Sequence, residues 1–154
     1  MNLYENILRI SNLIYENNLN ESFVEKGQIN NAPGLNITLK ENRDTKIGET
    51  NLIHMQGACE NDDYVKRFMD SDNGKINDHH FIYVHDLKVE EEYKGKGYGK
   101  KIMTKCHEIA KNLGYDYTCL IVEHSNHIAQ SLYKKLGYET HKKDDYGVFL
   151  IKKL

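Results

Sequence analysis

The sequence predicts an α/β protein, because segments typical of strands alternate with segments typical of helices. Residues 81–89 (FIYVHDLKV) and 118–122 (TCLIV) are rich in the β-branched and aromatic residues that strands favour. Between them, apolar residues recur every three or four positions from Ile102 to Leu113, which is the spacing of an amphipathic helix, and Gly114 is suited to end it. A length of 154 residues with 39% hydrophobic content is enough for one domain with its own core.

The first half of the chain predicts a helix followed by an antiparallel pair of strands. Apolar residues repeat at helical spacing over residues 2–18. Residues 35–39 and 47–55 alternate apolar and polar side chains with turn-forming residues between them, so we expect a hairpin there. A turn is predicted at residues 32–34 (APG). The pattern over residues 23–29 is ambiguous, and a short strand is one interpretation of it.

Two further segments complete the predicted order of elements. Residues 57–78 are acidic and contain a short helical face, so we expect an inserted helix or lid there. Two interpretations of this segment remain: a solvated surface segment without a role, or a wall of the site that attracts a cationic amine. The end of the chain, over residues 138–141 and 146–151, predicts a closing pair of antiparallel strands.

The charge and hydropathy of the chain narrow the class of partner. The formal net charge is -2, so no general attraction to nucleic acid is expected, and the lysines near Gly95 form a local patch. No apolar run reaches the length of a membrane span, and the first residues lack the pattern of a signal peptide. We therefore expect a cytoplasmic protein without a membrane or nucleic-acid partner.

The cysteines and histidines raise the questions of disulfides and of metal. Cys59, Cys106 and Cys119 are scattered without a C-x-x-C pair, so reduced thiols are expected, and Cys106 and Cys119 fall on predicted core faces. The eight histidines follow neither the His-Glu-x-x-His pattern nor a Cys/His spacing typical of zinc. We expect no metal site.

A lysine- and glycine-rich turn, residues 94–100 (KGKGYGK), lies where the strand over residues 81–89 passes into the helix. The first amide groups of a helix lack internal partners and carry partial positive charge, so an anion binds well there. Gly95, Gly97 and Gly99 allow close approach and unusual backbone angles, which suits a phosphate or a diphosphate. A P-loop requires Ser or Thr after its Gly-Lys pair and a dinucleotide fingerprint requires a third glycine at a fixed spacing, and the turn meets neither requirement.

The turn resembles the signature of the GNAT superfamily of N-acetyltransferases, in which Arg or Gln, two residues, Gly, one residue and Gly or Ala surround the diphosphate of acetyl-coenzyme A. Here it reads from Lys94 to Gly99, with Lys94 in place of Arg or Gln. Residues 126–138 (NHIAQSLYKKLGY) resemble the second GNAT signature, Asn-x-x-Ala-x-x-Leu-Tyr-x-Lys-x-Gly-Phe, with Tyr138 in place of Phe. The resemblance covers the last half of the chain, from Phe81 to its end.

The resemblance implies a fold and a cofactor. The fold is the GNAT fold over residues 1–154 as a single domain, with a mixed, mostly antiparallel central sheet of six to seven strands flanked by helices. A parallel pair of strands splays apart near Leu87 and Leu120 and holds acetyl-coenzyme A, the acetyl donor. The residues that the resemblance assigns to this cofactor are Leu87, Lys88, Val89, Lys94, Gly95, Lys96, Gly97, Tyr98, Gly99, Lys100, Asn126 and Tyr133.

The implied activity is that of an acyltransferase, which moves the acetyl group to a primary amine. The His85-Asp86 pair and the acidic segment over residues 57–78 favour a small cationic amine. The alternatives are a peptide or protein amine, and a coenzyme A-binding module without catalysis. An RNA-binding module is disfavoured by the net charge. Dimers are common in the family, so a homodimer is left open.

Tyr133 and His85 are the candidate catalytic residues. The resemblance assigns to Tyr133 the protonation of the leaving sulfur, whereas the amphipathic pattern of its helix would also place it at the edge of the core. His85 is the candidate base that removes the proton of the amine, because an imidazole is a competent base at neutral pH. Asp86 or ordered water is the next candidate, and a histidine without a role is the alternative. Asn126 is expected to cap the following helix.

In GNAT proteins a bulge opens the strand that corresponds to the one carrying His85. The resemblance implies that the backbone of this strand, from Leu87 to Val89, supplies hydrogen-bond donors to the oxyanion of the tetrahedral intermediate. Regular alternation places His85, Leu87 and Val89 on one face of the strand and Asp86 on the other, unless the bulge shifts this pattern.

Overall fold

The computed structural model describes residues 22–29, 32–42, 44–70 and 80–154. The strands are β1 (Ser22–Ile29), β2 (Ala32–Asn42), β3 (Thr45–His54), β4 (Phe81–Val89), β5 (Tyr117–Glu123), β6 (Glu139–Lys143) and β7 (Gly147–Lys153). Within the described ranges they form one seven-stranded sheet in the order β1-β2-β3-β4-β5-β7-β6. The helix predicted over residues 2–18 lies outside the described residues.

Helices pack on both faces of this sheet. They are α1 (Met55–Asn61), α2 (Asp63–Asp70), α3 (Tyr98–Asn112) and α4 (His127–Lys135), with a 3-10 turn at Glu91–Tyr93. On one face, Phe68 of α2 belongs to the same buried cluster as Tyr83 of β4. On the other face, Met103 of α3 and Tyr133 of α4 share a cluster with Ile82. Because neighbouring residues of a strand point to opposite faces, β4 contributes to both cores.

The pairing of the described strands is antiparallel except between β4 and β5. These two strands run parallel and pair only from Phe81 opposite Tyr117 to Tyr83 opposite Cys119. Beyond that point they separate, so the backbone groups of β4 that face β5 lose their strand partner. The mixed, mostly antiparallel sheet and its splayed parallel pair confirm the predicted architecture.

A bulge interrupts β4 at Asp86. Asn51 of β3 lies opposite His85 and Glu49 lies opposite Lys88, so three steps along β4 match two steps along β3. Asp86 takes the extra position with a φ of 62°, a conformation that Asp tolerates better than most side chains.

The bulge shifts the regular alternation of this strand, which is the exception that the resemblance left open. Leu87 and Val89 pack beside Ile102 of α3, whereas the His85 ring lies 6.2 Å from the Tyr83 ring on the opposite face. The inserted residue reverses the side on which the following side chains emerge. His85 therefore faces away from the two apolar residues with which it was expected to share a face.

Most of the remaining elements are confirmed, and one turn is wrong. Ala32 pairs with Ile29 and Gly34 with Gly27, so residues 32–34 begin β2 instead of forming a turn. Pro33 is tolerated there because β3 pairs with β2 only from Gly34 onward, which leaves the proline at the strand end. The hairpin of β2 and β3 and the closing pair of β6 and β7 form as predicted. The acidic segment contains α1 and α2 up to Asp70.

Candidate functional site

A cleft opens where β4 and β5 separate, and its volume is about 320 Å³. Its walls come from β4 and β5, from the start and middle of α4, and from the residues at the beginning of α2 and before β7. Leu87, Asn126 and Tyr133, three residues assigned to the cofactor by resemblance, line this cleft together with His85.

The glycine-rich turn leads directly into the N-terminus of α3, which lies beside this cleft. Gly95 and Gly97 have φ values of +74° and +86°, a backbone region that most side chains avoid. A Cβ atom at either position would meet no atom within 4 Å, so the backbone angle and not crowding requires glycine. Gly97 is the N-cap of α3, and no side chain caps it within the described residues. The first amide groups of α3 are therefore available to an anion.

Gly99 has a different role, because it brings the start of α3 close to two other elements. A Cβ atom there would lie 3.3 Å from Leu132 Cδ2 of α4 and 3.9 Å from Leu87 Cδ2 of β4. The first turn of α3 thus packs directly against Leu87, which also lines the cleft. This contact connects the anion-binding turn to the cleft.

The lysines around the turn are held by neighbouring side chains. Lys94 Nζ lies 2.7 Å from Glu91 Oε2, and Lys88 Nζ lies 3.1 Å from Asp86 Oδ2. Lys96 Nζ lies 6.0 Å from the centre of the Tyr93 ring. All of these side chains are at the surface, so each pair is weak and exchangeable.

The turn itself is tied to β2. The Tyr93 hydroxyl donates to Glu41 Oε2 at 2.6 Å, and the Tyr93 ring packs edge-on against Tyr98 at 5.7 Å. Tyr98 opens α3 and lies against the same apolar cluster as Tyr93. These contacts fix the conformation of the turn, while Lys100 remains exposed on the first turn of α3.

Tyr133 enters the cleft from α4 and is only 8% exposed. Burial is the main cause that raises the pKa of its hydroxyl to about 12, with smaller contributions from Cys106 and Asp86. The phenol therefore stays protonated at neutral pH. Asn126 begins this helix as predicted, because its side chain accepts a hydrogen bond from the Ala129 backbone N–H at 3.1 Å.

His85 lies on β4 directly before the bulge and lines the cleft. Its Nδ1 atom is buried and has no hydrogen-bond partner among the described residues. Its backbone carbonyl accepts hydrogen bonds from Thr50 Oγ1 at 3.3 Å and from Asn51 Nδ2 at 3.4 Å. The backbone at the bulge is thus held firmly, while the ring presents an unsatisfied nitrogen at the cleft.

Sequence reasoning missed three residues at the other end of the cleft, which are Tyr83, Glu123 and Tyr146. Tyr146 stacks on Tyr64 with 3.7 Å between ring centres, and its hydroxyl donates to Glu123 Oε1 at 3.1 Å. Asp62 also lines this end, so it is acidic and aromatic. Only Glu123 had a signal, since it directly follows the apolar run of the second predicted strand.

The remaining cysteines and ionisable groups give no second site. Cys106 and Cys119 are fully buried, and this burial raises the pKa of both thiols, as expected for core residues. Among the described residues, no group of three or more His, Cys, Asp and Glu side chains is arranged to hold a metal ion. None of the described helices combines the length and apolar character needed to cross a membrane.

The sequence matches the model of the family described as "Acetyltransferase (GNAT) family" over residues 15–138, which is most of the chain. The chain belongs to the GNAT family. The GNAT match includes both the glycine-rich turn and the helix of Tyr133. The splayed strands, the bulge at Asp86 and the helix start at Gly97 are therefore the GNAT elements of this chain.

Named relatives and solved structures agree with this assignment. A D-amino-acid N-acetyltransferase of Saccharomyces cerevisiae is 38% identical over 40% of this chain and 38% of its own length. A thialysine N-epsilon-acetyltransferase of Bos taurus is 43% identical over 36% of this chain and 33% of its own length. The matched part of this GNAT chain thus spans only 38% and 33% of the length of these two relatives. The PaiA N-acetyltransferase of Thermoplasma acidophilum, solved with coenzyme A, has the same fold with a TM-score of 0.56, 18% identity, and coverage of 96% of this chain and 69% of its own.

Proposed function

We propose that this protein transfers the acetyl group of acetyl-coenzyme A to a primary amine, and that the acceptor is a small cationic amine. One observation carries the proposal. A single cleft has an uncapped helix N-terminus packed against one end, the buried phenol of Tyr133 in its wall, and acidic and aromatic side chains at its other end. These are the features that a diphosphate, a leaving thiolate and an ammonium group require.

The end of the cleft beside the start of α3, which we call the donor end, suits the diphosphate of acetyl-coenzyme A. The amide groups at the start of α3 would bind it, since Gly95 and Gly97 keep the approach free of side chains. Lys96 and Lys100 add positive charge near this position. The thioester would then extend past Leu87 into the opening between β4 and β5, where unpaired backbone groups of β4 are available to hydrogen-bond an extended chain.

Tyr133 is the proton donor in this proposal. Its raised pKa, about 12, keeps the hydroxyl protonated, so it can give its proton to the leaving sulfur. The proton on the incoming amine has to leave before attack, because only the neutral amine is a nucleophile. His85 is the proposed base, and its buried, unpartnered Nδ1 at the cleft is the observation that favours it. Asp86 with ordered water is the second candidate.

The end of the cleft at Tyr83, Glu123 and Tyr146, which we call the acceptor end, has features that favour a cationic amine as the acceptor. Asp62 and Glu123 place two carboxylates around the opening, and the stacked rings of Tyr64 and Tyr146 add an aromatic surface against which the methylene chain of an amine can pack. The two matched relatives are named for action on D-amino acids and on thialysine, and both names denote small molecules that carry an amine. A peptide amine is the alternative acceptor.

The direct test is release of coenzyme A thiol from acetyl-coenzyme A over a panel of amines. The panel contains diamines, thialysine and an amino sugar, each compared with a neutral amine of equal length, and a set of short peptides. We expect kcat/KM for the best cationic amine to exceed that of its neutral match by about tenfold or more, because each close carboxylate adds attraction. Higher kcat/KM for the peptides would contradict the small-amine acceptor. Binding of acetyl-coenzyme A in calorimetry without thiol release on any amine would leave only the non-catalytic module.

The role of His85 has its own test, His85→Gln. The amide keeps a similar size and a hydrogen-bonding group but does not take up a proton, so we expect kcat/KM to fall by about a hundredfold if the imidazole is the base. If the imidazole is the base, the pH dependence of kcat/KM should also differ between the variant and the wild type. A full rate at every pH would transfer the role of base to Asp86 or to water.

A further inference from the structure

Tyr138 occupies the position at which the second GNAT signature has Phe, and its additional hydroxyl is buried and fully engaged. The residue is 4% exposed. Its oxygen lies 2.7 Å from His107 Nε2 of α3 and 2.9 Å from Thr118 Oγ1 of β5. A phenol can donate one hydrogen bond while it accepts another, so both contacts form at once.

The backbone of Tyr138 closes the helix that carries Tyr133. Gly137, with a φ of +91°, follows the C-cap residue Leu136, and its N–H donates to the Lys134 carbonyl at 3.1 Å. The N–H of Tyr138 donates to the Tyr133 carbonyl at 3.0 Å. This pair of hydrogen bonds is the Schellman arrangement, in which the second residue after the helix also contacts the residue whose carbonyl it satisfies.

The side chains of the two tyrosines make that contact. Their ring centres are 5.6 Å apart with an interplanar angle of 66°, which is the edge-to-face geometry that aromatic pairs favour. Tyr133 is therefore held by Tyr138 through both backbone and ring. Tyr138 is in turn held by α3 and β5 through one hydroxyl, whereas a phenylalanine would pack in the same place without that anchor.

We propose that Tyr138 is a positioning residue, whose hydroxyl, bonded to Thr118 and His107, fixes the end of α4 and thereby the direction in which Tyr133 enters the cleft. The inference rests on the proposed role of Tyr133 in acetyl transfer. It accounts for a polar cluster in the core that touches neither end of the cleft. Burial lowers the pKa of His107 to about 4, so the imidazole is neutral at physiological pH and the cluster carries no buried charge.

Tyr138→Phe tests the proposal because it keeps the ring and removes only the anchor. We expect kcat to fall by about tenfold, with KM for acetyl-coenzyme A and for the amine unchanged within about twofold, since small errors in the placement of a catalytic group cost rate without affecting binding. Thr118→Val should act in the same direction, and Thr118→Ser, which restores the hydroxyl, should retain the wild-type rate. Tyr117→Phe is the matched control, because Tyr117 stacks on Phe81 at the other core.

A double-mutant cycle separates positioning from general loss of structure. In a Tyr133→Phe background, Tyr138→Phe should lower kcat no further, because it acts only through the missing hydroxyl. An equal loss in both backgrounds would overturn the proposal, as would an unchanged kcat for Tyr138→Phe in the wild-type background.

A second readout does not depend on turnover. With tyrosines labelled by ¹³C at the ring, the Tyr133 signal should shift or broaden in Tyr138→Phe and not in Tyr117→Phe. An unmoved Tyr133 signal contradicts the inference even if the enzyme is active. Conversely, a wild-type protein that releases no thiol refutes the proposed function, while the same spectra still decide whether Tyr138 fixes Tyr133.

Discussion

At the donor end of the cleft the chain presents backbone, and at the acceptor end it presents side chains. Gly95 and Gly97 expose the amide groups of α3, and the bulge at Asp86 opens β4 where it leaves β5. The opposite end is built from carboxylates and from the stacked rings of Tyr64 and Tyr146. Backbone groups bind what every acetyl donor of this kind has in common, whereas side chains can differ between enzymes of one fold. Under the proposed function, the donor end would serve the chemistry and the acceptor end would set the specificity.

The two ends also differ in how they are held. The donor turn is fixed by the 3-10 turn at Glu91–Tyr93 and by contacts with distant parts of the chain, among them the hydrogen bond from Tyr93 to Glu41 and the packing of Gly99 beside Leu132. The acceptor end depends on α2 docking against the loop before β7, where Arg67 lies 3.7 Å from Asp144 Oδ2. Mutations should therefore affect one end without affecting the other.

The largest expected effect belongs to the residue between the two ends. Tyr133→Phe should lower kcat by about a hundredfold, because the leaving sulfur loses its proton donor. The dissociation constant for acetyl-coenzyme A should stay within about twofold, since the ring remains in place. Steady-state kinetics together with calorimetry measure both quantities. Unchanged turnover would remove Tyr133 from the mechanism, and a large loss of donor binding would show that it belongs to the donor end.

The next effect should be confined to the donor end. Gly97→Ala introduces a side chain at a φ of +86°, which costs about 1–2 kcal/mol and favours a different turn, so we expect acetyl-coenzyme A to bind at least about tenfold more weakly. Gly114→Ala is the matched control, because Gly114 has a φ of +92° and equal free space at the far end of α3. Both variants should lose similar thermal stability, and only the first should lose affinity. Equal affinities would separate the glycine turn from donor binding.

The difference between the two ends explains what could be predicted from the sequence. The helix start at Gly97 and the cap at Asn126 follow from short local patterns, and the structure contains both. The resemblance implied a bulge in this strand, but periodicity could not decide the orientation of His85 relative to Leu87, because the position of a bulge depends on pairing with another strand and one inserted residue reverses the face. The splayed parallel pair followed from the resemblance, since periodicity alone does not say which strands become neighbours.

The acceptor end shows the limit more clearly. Tyr83, Glu123 and Tyr146 lie far apart in the sequence, and only the sheet brings them together. None of them belongs to a signature. Tyr146 reads as the start of a strand, and its contact with Tyr64 depends on how α2 packs. Residues that set specificity are brought together by tertiary structure, so local sequence patterns do not identify them.

A smaller effect should be confined to the acceptor end. Glu123→Gln keeps the hydrogen-bond acceptor for Tyr146 and removes one negative charge, so KM for a cationic amine should rise by about threefold to fivefold. KM for acetyl-coenzyme A and for a neutral amine should not change, and the difference should shrink at high salt. Glu139→Gln, an equal charge change on the exposed edge strand β6, is the control. An equal rise of KM in the control would attribute the effect to net charge.

The smallest expected effect is on the pH dependence of stability, and it concerns the core behind Tyr133, outside both ends of the cleft. Burial, with a lesser contribution from the charge of Lys152, lowers the pKa of His107 from 6.5 to about 4. As the pH falls below 6.5, the unfolded chain takes up a proton at this histidine and the folded protein does not, so stability declines until about pH 4 and this group adds no further loss below that value.

His107→Asn should therefore reduce the fall in melting temperature between pH 7 and pH 4, while the exposed His127→Asn should leave it unchanged. Thermal unfolding at four pH values measures these slopes. If the melting temperature of His107→Asn falls with pH as steeply as that of the wild type, the acid sensitivity belongs to groups other than His107. A reduced slope assigns it to the cluster that holds Tyr138, so that acid weakens the support of Tyr133 before it alters either binding surface.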